Sequence, residues 1–417
     1  MDHFHYDNGM YHAEDVSLER LAREVGTPFY CYSTATLERH YHVFASQFEG
    51  MDTKICYAVK ANSNLGVLAT LRKLGSGADV VSEGEIRLAM AAGIAPEEIV
   101  FSGVGKTASE MAYALEQRIF QFNVESEPEL DLLNEVAKSK GVRAPVAIRI
   151  NPDVDPKTHA KISTGQKESK FGISAKQAHQ AFAHAASLPH LDVQGVSVHI
   201  GSQLTSMEPF AAAFRHVRNF VFELRGKGFS IRTVDLGGGL GIPYGESEPP
   251  VPDMYAETVR REMQGINAKL IFEPGRLIVG NAGILVSRVI YVKKSDSRTF
   301  VIIDAAMNDL IRPTLYDAYH EIVPAKASSA EKIAVDVVGP VCETGDIFAE
   351  GRKMAPVAAG DLVVLRSAGA YGAVMANSYN ARLLVPEVMV RGKDYAVVRP
   401  RPGYESLTQR DHIPGWI

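Results

Sequence analysis

The sequence predicts a (β/α)8 barrel followed by a β-rich domain of antiparallel sandwich or barrel type. Two observations carry this expectation. Between residues 54 and 273, apolar runs of strand length recur eight times, and segments with helical spacing follow most of them. Near-continuous apolar strands alternating with amphipathic helices indicate a parallel sheet covered on both faces, and eight such units match the closed barrel. After about residue 277 the alternation stops, and β-rich runs follow with few long helical patterns between them. The expected boundaries are 27–277 for the barrel and 278–417, joined by 1–26, for the second domain. An open, doubly wound sheet is the alternative for the first.

In chain order, residues 16–25 read as a short helix with Ser17 as its cap, ending at Gly26 before Pro28. The barrel runs are 54–60, 77–82, 99–102, 120–124, 145–150, 193–200, 233–236 and 269–273. Helical spacing fills, for example, 83–90 and 127–140. The β-rich runs of the second part are 284–292, 299–304, 332–338, 361–365 and 395–398. Residues 155–174, with His159, Thr164, Gly165 and Ser169, follow the fifth strand and are long and polar. They read either as an active-site lid or as an exposed connection.

Composition narrows the function classes. The chain has 417 residues, 46% hydrophobic and 22% charged, with a formal net charge of -5. A mildly acidic balance argues against nucleic-acid binding and offers no polybasic patch for a membrane. The run 277–292 is broken by Asn281 and Arg288 and is too short to span a bilayer. Three widely spaced cysteines, Cys31, Cys56 and Cys342, form neither a disulfide framework nor a zinc pattern and suit a reducing compartment. The first fifteen residues are polar and acidic where a leader peptide needs an apolar run, so a cytoplasmic protein without a metal is expected.

In such a barrel the chemistry collects at the carboxyl ends of the strands. Those ends carry Lys60, Asp79 with Ser82, Arg149, His199, Gly237-Gly238-Gly239, and Glu273 with Arg276. A lysine where a core strand meets water is usually a snorkelling surface group, but a desolvated lysine is also the usual Schiff-base nucleophile. Three glycines after the seventh strand let backbone amides approach an anion, at the habitual phosphate site of this fold. Glu273 can hold a ring nitrogen protonated, and Arg276 can neutralise a phosphate or a carboxylate. Together these residues specify pyridoxal phosphate as the ligand. His199 alone would read as a core histidine, and Glu273 to Arg276 alone as a turn with an ion pair.

The stretches Tyr57-Ala58-Val59-Lys60-Ala61-Asn62, His199-Ile200-Gly201-Ser202-Gln203, Gly237-Gly238-Gly239 and Glu273-Pro274-Gly275-Arg276 resemble the alanine-racemase-like, fold type III group of pyridoxal-phosphate enzymes. Residues 304–313, Tyr316, Cys342-Glu343-Thr344-Gly345-Asp346 and Ala370-Tyr371-Gly372 narrow the resemblance to its diaminopimelate decarboxylase family, from about residue 27 to 390. The resemblance implies decarboxylation of meso-2,6-diaminopimelate to L-lysine, the last step of lysine biosynthesis. It implies that Lys60 captures the cofactor aldehyde, that His199 stacks on the ring, and that Ser202 reaches the phosphate. Gly238, Gly239, Glu273, Gly275, Arg276 and Tyr371 would also contact the cofactor, with Asp79, Glu85 and Arg149 in support. Arg276, Arg312 and Tyr316 would take the distal carboxylate of the substrate, Glu343 its distal ammonium, and Tyr371 would touch cofactor or substrate. Cys342 would return a proton to the carbanion. In this family Cys342 and Glu343 come from a partner subunit, so a homodimer with shared sites is implied. Paired arginines suit a carboxylate bidentately and a positioned thiol can deliver one proton, so the physical reading agrees.

Two departures concern Ala306, where the family usually has glycine, and Leu383, where it often has proline; they bear on loop geometry. Competing readings are a decarboxylase of carboxynorspermidine, ornithine or arginine, which would leave Arg312 without a purpose, and a non-catalytic pyridoxal-phosphate-binding protein. An alanine racemase would place an arginine at the ring nitrogen instead of Glu273.

Overall fold

The computed structural model describes residues 2–155, 170–245 and 247–417. Most of the segment read as a lid or connection, including His159, Thr164, Gly165 and Ser169, lies outside the described residues. The chain divides into two compact units. One comprises residues 38–243 and 247–278, the other residues 1–37, 244–246 and 279–417.

The first unit is a closed barrel of eight parallel strands. They are Thr53–Ala58, Gly77–Val80, Ile99–Phe101, Gln121–Val124, Ala144–Asn151, Leu191–Ser197, Thr233–Asp235 and Lys269–Phe272. Each pairs in parallel with the next, and the eighth returns to the first with Leu270 opposite Thr53, which removes both edges. Ile55, Val80, Val100, Phe101, Phe122, Val146, Ile148, Val196, Val234 and Ile271 are buried, because a parallel strand with helices outside and a filled barrel inside has no wet face. The sixth strand shifts register between Val193 and Gly195. A Cβ on Gly195 would stand 2.1 Å from the Thr233 Oγ1, so only glycine permits that approach.

Four successive outer helices open on side-chain caps. Asn64 accepts from the Gly66 amide before Leu65–Lys73, and Ser82 accepts from Glu85 before Glu83–Ala91. Thr107 forms a reciprocal capping box with Glu110 before Ala108–Gln117, and Ser126 accepts from Glu129 before Glu127–Lys140. These caps stop each loop at a defined residue, so the strand-to-helix loops that carry chemistry have fixed lengths. Thr107→Ala should lower stability by about 1 kcal/mol in urea unfolding, since it removes the acceptor for one orphan amide. No change in midpoint would show that the Glu110 half of the box suffices.

The second unit is a mixed sheet built on the long strand Gly283–Lys294. That strand pairs antiparallel with Phe29–Ser33, Thr299–Ile303 and Leu362–Leu365. Two pairings depart from an antiparallel plan: Thr299–Ile303 runs parallel to Ile333–Val338, and Phe29–Ser33 parallel to Glu387–Arg391. Neither pair is joined by a hairpin, so no turn imposes an antiparallel direction. Phe29–Ser33 falls within the stretch 27–277 expected for the barrel, yet all five of its residues are buried in this other sheet. A small antiparallel sheet of Phe4–Asp7, Met10–Ala13 and Val16–Ser17, with the helix that follows it, packs Phe4, Tyr11, Val16, Leu18 and Leu21 into the same core as Phe29, Ile284, Val286, Val364 and Val388. The expected helix at 16–25 is Leu18–Val25, preceded by a two-residue strand. Among the described residues no helix is long and apolar enough to cross a membrane.

Candidate active site

Lys60 leaves the first barrel strand on a single tight turn, Val59–Ala61. The turn is held at both ends: the Ala58 amide donates to the Pro274 carbonyl (3.1 Å) and the Asn62 amide to Val59 (3.0 Å). The Lys60 Nζ stands 2.7 Å from Oδ2 of Asp79, at the end of the second strand. Asp79 is wholly buried, and its other oxygen, Oδ1, has no hydrogen-bond partner among the described residues. A lysine on one side of a buried carboxylate, with the carboxylate's second oxygen unused, is a polar arrangement a bound ligand can complete. Glu85 lies within electrostatic reach of both. Burial pushes its carboxyl up to about 7, against the Val81 amide at 2.9 Å and the Lys60 charge.

Opposite chemistry surrounds His199. Its Nδ1 accepts from the Gly238 amide at 3.1 Å, so the ring is neutral with its proton on Nε2. Although the residue keeps some solvent contact, desolvation first, then the charges of Arg149 and Lys60, hold its pKa well below the usual histidine range. A flat, neutral ring results. Arg149 donates to the His199 carbonyl (3.3 Å) and to Glu125 (2.9 Å), and its guanidinium lies over the Phe171 ring.

The glycine stretch is compressed from two sides. A Cβ on Gly238 would meet the Glu273 carbonyl at 2.2 Å, and one on Gly239, at φ +112°, would meet the Gly201 carbonyl at 2.4 Å. The Glu273 amide in turn donates to Gly237 (2.8 Å). Side chains are thereby excluded from a loop beside two strand ends, which is what close approach of a phosphate requires. Arg276 follows on the one-turn helix Arg276–Val279 and donates to the Ser202 hydroxyl at 3.2 Å. Gly275 packs against Ala58 and Ala61, where a Cβ would stand 3.1 Å from each methyl.

Glu273 itself is buried among groups that the sequence reading passed over. The Asn123 amide nitrogen reaches its Oε1 at 3.2 Å, Asp235 Oδ2 at 2.7 Å and the Ser102 hydroxyl at 3.1 Å. Burial, then Asp235 and Asp79, push the Glu273 carboxyl well above the usual range. Asn123 and Ser102 sit inside apolar strand runs and gave no pattern; Asp235 stands two residues before the glycines, which was a usable signal. Lys106 was also missed: it is buried on Glu129 (2.7 Å) and on the Gly103 and Asn123 carbonyls (both 2.7 Å).

The second unit carries the remaining expected residues. Arg312 opens the helix Arg312–Tyr316 and is buried. It donates to Tyr244 Oη (3.1 Å) and to Nε2 of His320 (2.9 Å), and lies over the Tyr244 ring. His320 Nδ1 is 2.8 Å from the Arg366 carbonyl, which takes the ring proton and leaves Nε2 as the acceptor facing Arg312. Cys342 is an exposed free thiol whose amide donates to Asn380. Glu343 beside it is exposed and accepts from the Gly345 amide (3.4 Å). Tyr371 takes a left-handed backbone, φ +56°. Ala306 is buried and outside the left-handed region, so alanine in place of glycine adds no backbone strain there.

The barrel and its strand-end lysine, buried carboxylates, neutral histidine and glycine cradle define an enzyme of the pyridoxal-phosphate class. A family model described as the pyridoxal-dependent decarboxylase, pyridoxal binding domain, matches residues 34–280. The diaminopimelate decarboxylase of Zymomonas mobilis is 51% identical over 99% of both chains. The crystal structure of the Helicobacter pylori diaminopimelate decarboxylase complexed with L-lysine is 42% identical, with a TM-score of 0.91 over 94% of this chain and 98% of that one. The M. jannaschii enzyme in complex with L-lysine gives 39% and 0.95 over 99% and 98%. The chain belongs to the diaminopimelate decarboxylase family of fold type III pyridoxal-phosphate enzymes, and its cofactor is pyridoxal 5'-phosphate.

Proposed function

We propose that the protein decarboxylates meso-2,6-diaminopimelate to L-lysine and carbon dioxide, the last step of lysine biosynthesis. The observation that carries this is near-full-length identity to diaminopimelate decarboxylases, two of which are solved with L-lysine bound. Bound at the barrel's strand ends, pyridoxal phosphate supplies an electron sink for the pair left when a carboxylate departs. In our reading Lys60 holds the cofactor covalently, with Asp79 fixing the amine. His199 offers its neutral face to the ring, Glu273 meets the ring nitrogen, and Ser202, Gly238, Gly239, Gly275 and Arg276 hold the phosphate end.

The second unit serves the substrate. By the family resemblance, Arg276, Arg312 and Tyr316 take the distal carboxylate, Glu343 the distal ammonium, and Tyr371 touches cofactor or substrate. Cys342 gives its thiol proton to the substrate carbon that has lost carbon dioxide. Cys342 and Glu343 are both exposed on this chain, which supports their serving the site of a partner subunit in a homodimer. The buried, free state of Cys31 and Cys56 agrees with a reducing, cytoplasmic setting.

The test uses purified protein loaded with the cofactor. Borohydride should fix the cofactor on Lys60, located by peptide mapping, and meso-diaminopimelate should yield carbon dioxide and lysine. Fixation without release would keep the cofactor assignment and reject the substrate. Failure to fix the cofactor would reject the reading of Lys60.

A further inference from the structure

Behind Glu273 lies a buried cluster that the reaction as described does not use. Asp235 ends the seventh strand, Asn123 lies on the fourth and Ser102 follows the third. All four side chains are buried. Asn123 Nδ2 bridges the two carboxyls, at 2.7 Å from Asp235 and 3.2 Å from Glu273, and the Ser102 hydroxyl reaches Glu273 at 3.3 Å. The other oxygen of Asp235, Oδ1, accepts from the Gly237 amide at 2.9 Å. One carboxylate thus grips both the acid proposed for the ring nitrogen and the first glycine of the loop proposed for the phosphate.

We propose that Asp235 is a positioning residue of the cofactor site: through Asn123 and the Gly237 amide it fixes Glu273 and the glycine loop as one piece, and it keeps a proton on Glu273 while the barrel is empty. The inference deepens the proposed function and rests on Glu273 meeting the ring nitrogen.

The proton follows from counting donors. Asp235 and Glu273 share the Asn123 nitrogen at 2.7 and 3.2 Å, and two buried carboxyls held that close resist both being charged, so one keeps a proton. Asp235 has an N–H aimed at each oxygen, from Asn123 at 2.7 Å and from the Gly237 amide at 2.9 Å, whereas Glu273 has the longer Asn123 contact and a hydroxyl, so the proton sits on Glu273. Burial raises Asp235 to about 6, against the hydrogen bonds of Asn123 and the Gly237 amide, which support its charge. The other ionisable neighbours do not compete at neutral pH. Asp79 is paired with Lys60, while Cys56 and Tyr255 are pushed up by burial and stay neutral. With pyridoxal phosphate bound, Glu273 would be the residue that holds a proton for the ring nitrogen; handing it over would break its O–H bond, form an N–H bond and leave Glu273 a carboxylate. Asn123 and Ser102 then donate to that carboxylate, and Asn123 and Gly237 to Asp235, so both charges keep partners. A core polar layer with no role toward the cofactor would need none of this proton placement.

The experiment is infrared difference spectroscopy of the cofactor-free protein. At pH 7 wild type should show a protonated-carboxyl band that Glu273→Gln removes. Asp235→Asn should lose that band until the pH is lowered by about one unit or more, a tenfold or greater change in protonated fraction. Asp235→Glu should restore it. Should Asp235→Asn fail to fold, the wild-type titration decides. It must show two coupled steps, the upper well above that of an ordinary glutamate. A single step near the ordinary value, or a band unaltered by Asp235→Asn, overturns the inference. Borohydride fixation on Lys60 in that same wild-type protein would then leave the proposed function standing, whereas failure of fixation strikes the function and not the carboxyl pair.

Discussion

Replacing Lys60 by arginine should abolish decarboxylation, by roughly four orders of magnitude, while leaving the barrel as stable as before. The two halves of this expectation have separate causes. Activity goes because a guanidinium is never deprotonated in a protein and cannot capture an aldehyde. Stability stays because arginine still places a cation beside Asp79, which is fully buried. Lys60→Ala separates the causes. It should be equally inactive, and it should also lose about 2 kcal/mol, because it removes the cation that stood 2.7 Å from a buried carboxylate. The measurements are carbon dioxide release and urea unfolding of cofactor-free protein, so that cofactor binding does not mask the difference. Appreciable turnover by the arginine variant would remove Lys60 from the covalent role, and equal stability of both variants would mean that the cation beside Asp79 adds nothing to folding.

The barrel was legible because its strands announce themselves. Parallel strands buried on both faces are runs of apolar residues, and all eight expected runs overlap the observed strands. What shifted is the ends. The run 54–60 stops at Ala58, since Lys60 lies on a turn held by Pro274, and that contact comes from more than two hundred residues away. Phe29–Ser33 was misplaced for the same reason. Nothing in FYCYS distinguishes a first barrel strand from one that pairs with residues 283–286 and 387–390. The second sheet's direction was only partly legible, as local sequence fixes a hairpin but not a parallel pairing between distant strands.

Within the site, charged residues at strand ends could be read off, but their partners could not. Asn123, Ser102 and Lys106 interrupt or adjoin apolar runs and look like ordinary strand or loop polarity until the barrel closes and brings them together. Asp79 and Glu273 illustrate the difference. Each was picked by position, whereas the state of Glu273 depends on Asp235, which stands on the neighbouring seventh strand. Arg312 entered through family resemblance alone, and the histidine that aims it, His320, carried no signal because its ring is buried on a backbone carbonyl.

That arrangement makes Arg312 the most informative residue for substrate choice. Arg312→Met should raise the KM for meso-diaminopimelate about 100-fold while kcat changes much less. A charge-assisted, two-pronged contact to a carboxylate is worth about 3 kcal/mol, and each ~1.4 kcal/mol is a factor of ten. The loss falls on KM because the distal carboxylate does not change between ground and transition state, so its binding is uniform. The side chain is already aimed before substrate arrives: Tyr244 and His320 hold one terminal nitrogen at 3.1 and 2.9 Å, and the Tyr244 ring lies under the guanidinium. Arg312→Lys should recover only part of the affinity, for an ammonium keeps the charge but loses the fork. Substrates such as ornithine, with no distal carboxylate, have nothing to offer this group. If one of them proved the better substrate and Arg312→Met left its KM unchanged, the assignment to diaminopimelate would fall. If kcat collapsed and KM held, Arg312 would act on the reacting end instead of the distal one.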